Sequence, residues 1–183
     1  MRVTIAGHAS WMLLGIDNYF FDGVREIHIF PQAFDRRKPG DGLYDSELKG
    51  GEAWRSGPIV LSWNNVMMAR HSAEAARNIV IHEFAHHLDG LDGNVNGTPV
   101  FANIADQKLW GDVIAQEFAD LQTAANQGLW TFLRHYGAKN EAEFFAVTSE
   151  CFFEKPSELN RTHPALYELL HRFYRVDPLE WVN

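Results

Sequence analysis

Two histidines four residues apart, with a glutamate directly after the first, lie inside an apolar helical stretch: Ile81-His82-Glu83-Phe84-Ala85-His86. On a helix, residues four apart project from one face, one turn above the other. A chain with this run must fold around that helix, and Ala75, Ile79, Phe84 and Leu88 supply its buried face. Ser72 is the expected N-cap, with Glu74 in the first turn and Gly90 past the end. Two imidazoles at this spacing can ligate one zinc ion, and Glu83 stands close enough to polarise a water there. With 9 His in 183 residues, such a run arises by accident on the order of 0.03 times in a chain of this composition. His87 points about 100° away from His86 and is expected to be a solvated histidine near the helix C-terminus, where an imidazolium complements the dipole.

The surrounding pattern is α+β. Arg25 to Phe30 alternates, ends at Pro31 and reads as a strand. Gly57 to Trp63 reads as a second strand, and Pro58 at its start suits a sheet edge. Asp35 to Gly51 is rich in Gly, Asp and Lys and reads as a surface loop. Downstream, Ile104 to Ala125 and Glu141 to Glu154 read as helices, the latter stopped by Pro156. Pro164 opens another, running to about Tyr174. The expected architecture is a small N-terminal antiparallel or mixed sheet packed on a mainly helical part, with residues 1–183 forming one domain.

Composition removes several classes of function. Sixteen Lys and Arg stand against 24 Asp and Glu, a net charge of −8, which disfavours nucleic-acid or anionic-membrane partners. No run reaches the ~18 apolar residues of a membrane span. The apolar segment Val3 to Ile16 follows Arg2, but His8, Ser10 and Gly15 interrupt it and no small-residue cleavage site comes after it. Cys151 is the single cysteine, so no internal disulfide forms and a reducing, cytoplasmic setting is expected.

A catalytic zinc needs a third protein ligand. One route continues the motif through the turn that follows it. There the third-ligand position is Asp92, but the glycine falls one residue late, at Gly90, and all four methionines lie upstream. The other route is a glutamate from the helix Glu141 to Glu154, whose aromatic content marks it as buried. A carboxylate on such a helix is costly unless it is paired or binds metal. Glu143 and Glu150 are seven apart, two turns, and share a face. One can ligate while the other braces a ligand histidine through its second ring N–H.

The run His82 to Asp89, read with Glu143 to Glu150 and the strand Gly57 to Trp63, resembles the Mlc titration factor A family. These are bacterial zinc metallopeptidases of zincin type, similar in fold to the catalytic domain of lethal-factor-type toxins. The resemblance extends through Asp177-Pro178-Leu179. It implies one Zn²⁺ held by His82, His86 and Glu143, Glu83 as the general base, and Tyr136, seven residues before the third ligand, as a donor to the oxyanion. Val147 stands where thermolysin-like enzymes carry an Asp that braces a ligand histidine, so Glu150 or Asp89 is expected to serve instead. Family members carry further N-terminal sequence, and any regulation through it is not expected of these residues. The implied activity is aminopeptidase-like hydrolysis of a peptide substrate, an extended peptide pairing with an edge strand such as Gly57 to Trp63. The alternative implied by the same resemblance is a regulatory protein that binds a sugar-responsive transcription repressor and retains a residual zinc site.

Overall fold

The computed structural model describes residues 1–32, 51–52, 58–68 and 76–181. Seven α-helices and three strands are found among them: α1 (Arg2–Trp11), β1 (Ile27–Phe30), β2 (Gly51–Glu52), β3 (Ile59–Ser62), α2 (Trp63–Met68), α3 (Ile79–Asp89), α4 (Ile104–Asn126), α5 (Glu141–Glu154), α6 (Pro156–Thr162) and α7 (Pro164–Tyr174). This is the expected α+β fold with a mixed sheet.

The strand order is β1-β3-β2. β1 runs parallel to β3, with Ile27 opposite Ile59, and β2 runs antiparallel to it, with Gly51 opposite Leu61. The expected edge strand Gly57 to Trp63 is therefore the central one. Pro58 stands just before the ladder, and the first bond is made by Ile59, whose N–H donates to the Glu26 carbonyl at 3.0 Å. A proline at that point removes no ladder hydrogen bond and carries no edge information. Pairing on both sides also closes β3 to an incoming peptide.

α3 begins later than the apolar pattern suggests. Asn78 is its N-cap, accepting from the N–H groups of Val80 and Ile81 at 3.1 and 3.3 Å. The expected cap Ser72, with Glu74 and Ala75, lies outside the described residues, as does the expected loop Asp35 to Gly51 apart from Gly51 itself, the start of β2. α1 was not expected. Its buried stripe is narrow, Ile5, Ala9 and then Met12, but at helical spacing it packs on α3. Pro156 both ends α5 and opens α6 at its first turn, because its missing N–H is one that the first turn leaves unpaired.

The core forms around α5. Every residue from Phe144 to Phe153 is buried, the polar Thr148, Ser149 and Glu150 among them. Phe145 meets Trp110 of α4 and Phe173 of α7 edge-on, and Phe144 meets Phe118 of α4. α3 lies along the remaining face. The two helices run antiparallel: Asn78 at the start of α3 meets Glu150 and Glu154, whereas His86 near its end meets Glu143.

Candidate metal centre

α3 presents His82 and His86 one turn apart, and the first turn of α5 presents Glu143, fixed by its cap: Asn140 Oδ1 accepts the Glu143 N–H at 2.9 Å. The atoms converge on one point. His82 Nε2 lies 3.0 Å from Glu143 Oε2 and 3.2 Å from His86 Nε2, and His86 Nε2 lies 3.3 Å from the same carboxylate oxygen. A cation with four ligands at ~2.0–2.1 Å has ligand-to-ligand edges of about 3.3 Å by tetrahedral geometry. The three donors thus already stand at the edges of such a shell, and among the described residues they are the group able to hold a metal ion.

Electrostatics agree. His82 Nδ1 donates to Glu150 Oε1 at 2.8 Å, which turns Nε2 towards the other two donors. Burial alone would lower the pKa of His82, but its hydrogen bonds to Glu143 and Glu150 outweigh this and hold it at about 10. Burial would raise Glu143, yet the contacts to His82 and His86 hold its carboxyl well below the usual range. His86 is pushed down, chiefly by burial. The carboxylates of Glu143 and Glu150 thus favour a positive charge at this point, and a proton on His82 and a metal ion compete for it. Two neutral imidazoles and a carboxylate form a donor set suited to a metal cofactor.

Glu83 is buried, 3% exposed, one residue from His82, and its charge favours the imidazolium. Tyr136 stands on a short 3₁₀ turn, His135–Ala138, and its hydroxyl donates to Glu143 Oε1 at 3.1 Å. Tyr136 is 42% exposed, with its ring centroid 5.9 Å from that of His82. Gly137 allows this turn to lie close to α5, since a Cβ there would come within 3.3 Å of Leu121 and 3.4 Å of Val147.

The two brace candidates separate. Glu150 is the one bonded to His82. Asp89 faces away from the histidines, its Oδ2 accepting the Gly97 N–H at 2.8 Å. Burial pushes its pKa up to about 6 against backbone donors that would lower it. Asp92, the alternative third ligand, is exposed and accepts from the Asn94 N–H at 2.7 Å. His87 is not a ligand, but neither is it the solvated histidine expected: it is half-buried, its Nε2 2.6 Å from the Tyr19 hydroxyl and its ring edge-on to Phe21. Cys151 is buried and its thiol pKa is pushed up by that burial, which leaves it inert as a nucleophile.

Two participants escaped the sequence reading. Arg134 is ion-paired to Glu150 Oε1, and the Asn78 N–H donates to Glu150 Oε2 at 2.6 Å. Asn78 was findable as an N-cap residue before an apolar run. Arg134 carried only its nearness to Tyr136.

The glucose-regulated metallo-peptidase M90 family matches residues 1–175. Among curated relatives, protein slr2042 of Synechocystis sp. is 34% identical over 185 residues, covering 98% of this chain and 67% of its own length. Mlc titration factor A of Yersinia pestis is 35% identical over 176 residues, covering 90% of this chain and 64% of its own length, with the same values for its Yersinia pseudotuberculosis counterpart. The chain spans about two thirds of the length of the curated relatives it matches. The chain therefore belongs to the glucose-regulated metallo-peptidase M90 family.

Proposed function

We propose that this chain is a cytoplasmic zinc peptidase of one domain, 1–183, with one Zn²⁺ held by His82, His86 and Glu143. The observation that carries the reading is the 3.0–3.3 Å triangle of donor atoms, matched to a tetrahedral shell of ~2.0–2.1 Å bonds. When bound, zinc acidifies water and polarises a carbonyl. Glu83 accepts the proton of the attacking water and returns it to the leaving amine. Tyr136, exposed at the rim, exchanges its bond with Glu143 for one to the oxygen that becomes charged in the transition state. Glu150 keeps the Nδ1 proton on His82, so that Nε2 remains a ligand.

The substrate is a peptide, cleaved in aminopeptidase fashion. The name of the Yersinia relatives supports a second role towards an Mlc-type repressor. A buried Glu83 beside a formed donor triangle favours retained catalysis, because repressor binding alone has no use for a base at that position. The deciding experiment is hydrolysis of short peptides by parent and Glu83→Gln proteins at equal zinc content. The expected loss is at least ~10²-fold with zinc retained. Equal activity in the variant would remove the peptidase mechanism.

A further inference from the structure

Glu150 is gripped at both oxygens. Oε2 takes the Asn78 N–H at 2.6 Å, at the start of α3. Oε1 takes two donors, His82 Nδ1 at 2.8 Å and Arg134 Nη2. Arg134 belongs to neither helix. It directly precedes the turn His135–Ala138 that carries Tyr136, and Tyr136 in turn donates to Glu143. The buried oxygen that orients His82 is thus the oxygen that anchors the segment bearing Tyr136.

We propose that Arg134 is a positioning residue of the metal centre: through its ion pair with Glu150 it fixes the orientation of His82 and the placement of Tyr136 together. This rests on the metal reading above, and the geometry supplies the physical argument. Two donors, one on each oxygen, set the plane of the Glu150 carboxylate, and the third, from Arg134 on Oε1, adds a charged restraint to the oxygen that His82 uses. The other end of the pair has few alternatives. Glu150 is 1% exposed and Arg134 is held largely inside, so water does not replace the contact when it is lost. An outer partner of a ligand histidine is typically worth 10–100-fold in metal affinity or activity. Arg134 acts one contact further out, but on two functional groups at once.

The test uses the full chain and zinc alone as the probe. Zinc affinity is measured by competition with a chromogenic chelator for the parent, R134M and R134K, with melting of the metal-free proteins recorded alongside. R134M is expected to bind zinc at least tenfold more weakly. R134K, which restores a cation able to reach Glu150, is expected to recover most of that loss. At saturating zinc, R134M is also expected to lower kcat on a peptide while KM stays within about twofold, as a displaced Tyr136 requires. A merely structural arginine predicts a lower melting temperature with unchanged zinc affinity, and that result overturns the proposal. So does equal weakening in R134K and R134M. Where R134M does not fold, R134Q carries the same expectation and the same refutation. A parent that fails to bind zinc refutes the metal reading itself, whereas a parent that binds it as R134M does refutes only the role of Arg134.

Discussion

Replacing Gly97 with alanine tests the link between the loop after α3 and the metal centre. Gly97 has φ +78°, and a Cβ built on it would stand 2.2 Å from the Glu141 carbonyl oxygen and 2.3 Å from its carbon. The left-handed backbone alone costs an L-residue roughly 1–2 kcal/mol. The contact is the larger problem, because ordinary van der Waals separation is about 3.5 Å, so loop and helix must part by more than an ångström. Neither side moves freely. The Gly97 N–H is bonded to Asp89 Oδ2 at 2.8 Å, and its carbonyl accepts the Trp110 indole N–H at 2.9 Å. Glu141 opens α5, two residues before Glu143. With overpacking at ~1–3 kcal/mol, the total is about 3 kcal/mol, a fall of roughly 6–12 °C in melting temperature for a chain of this size. A displacement of this size at the first turn of α5 also exceeds the ~0.5 Å tolerance of a preorganised site, so zinc affinity is expected to drop at least tenfold. Calorimetry of the metal-free protein and chelator competition measure the two effects. A Gly97→Ala protein that melts within 2 °C of the parent and binds zinc equally well would refute the reasoning.

Asp89 gives a pH test with a definite sign. Its folded pKa of about 6 lies above the ordinary 3.8, so between those values the folded state holds a proton that the unfolded state has released. Its contribution to stability therefore falls as pH rises from ~4 to ~6, by on the order of 2–3 kcal/mol. Urea unfolding of metal-free Asp89→Asn should show the variant gaining on the parent by that amount from pH 4 to pH 7, and a flat difference would contradict it. Tyr136→Phe should keep zinc and lower kcat by on the order of 10²-fold with little change in KM. A rate within twofold of the parent returns Tyr136 to the packing aromatics. Glu143→Ala should lose zinc, whereas Asp92→Ala should keep it, and metal analysis showing the reverse would reassign the third ligand.

Helix ends were legible wherever a residue had a local reason to stand there. The bounds of α5 and α7 agree with the expectation, and α4 extends one residue further, because prolines and an aromatic periodicity mark them within the chain itself. α6 was missed because Pro156 was read only as a stop, and the centre of the sheet was misread as its edge because Pro58 lies one residue outside the ladder. α1 was missed because two buried side chains in ten residues, Ile5 and Ala9, make too narrow a stripe to stand out beside His8 and Ser10. Arg134 could not be found by any of these signals. Its partner is 16 residues away on another element, and an arginine beside a turn ordinarily faces water.

The assignment of roles to Glu143 and Glu150 shows what spacing can and cannot carry. Seven residues apart on a helix places both on one face, and the sequence says equally well that either could ligate while the other braces. What breaks the symmetry is the direction of α5 against α3. Because the helices are antiparallel, the earlier glutamate meets the later histidine: Glu143 reaches the Nε2 atoms of both imidazoles, and Glu150 is left beside Nδ1 of His82 and the capped start of α3. A parallel pair would bring Glu150 to His86 and leave Glu143 at the Asn78 end, beyond reach of a shared metal. That direction is a property of the whole connection from Gly90 to Asn140. α4 spans it, Gly97 lies close against the first turn of α5, and Trp110 is hydrogen-bonded to Gly97. The convergence of His82, His86 and Glu143 is therefore specified as much by this returning segment, which carries none of the three, as by the two helices that do.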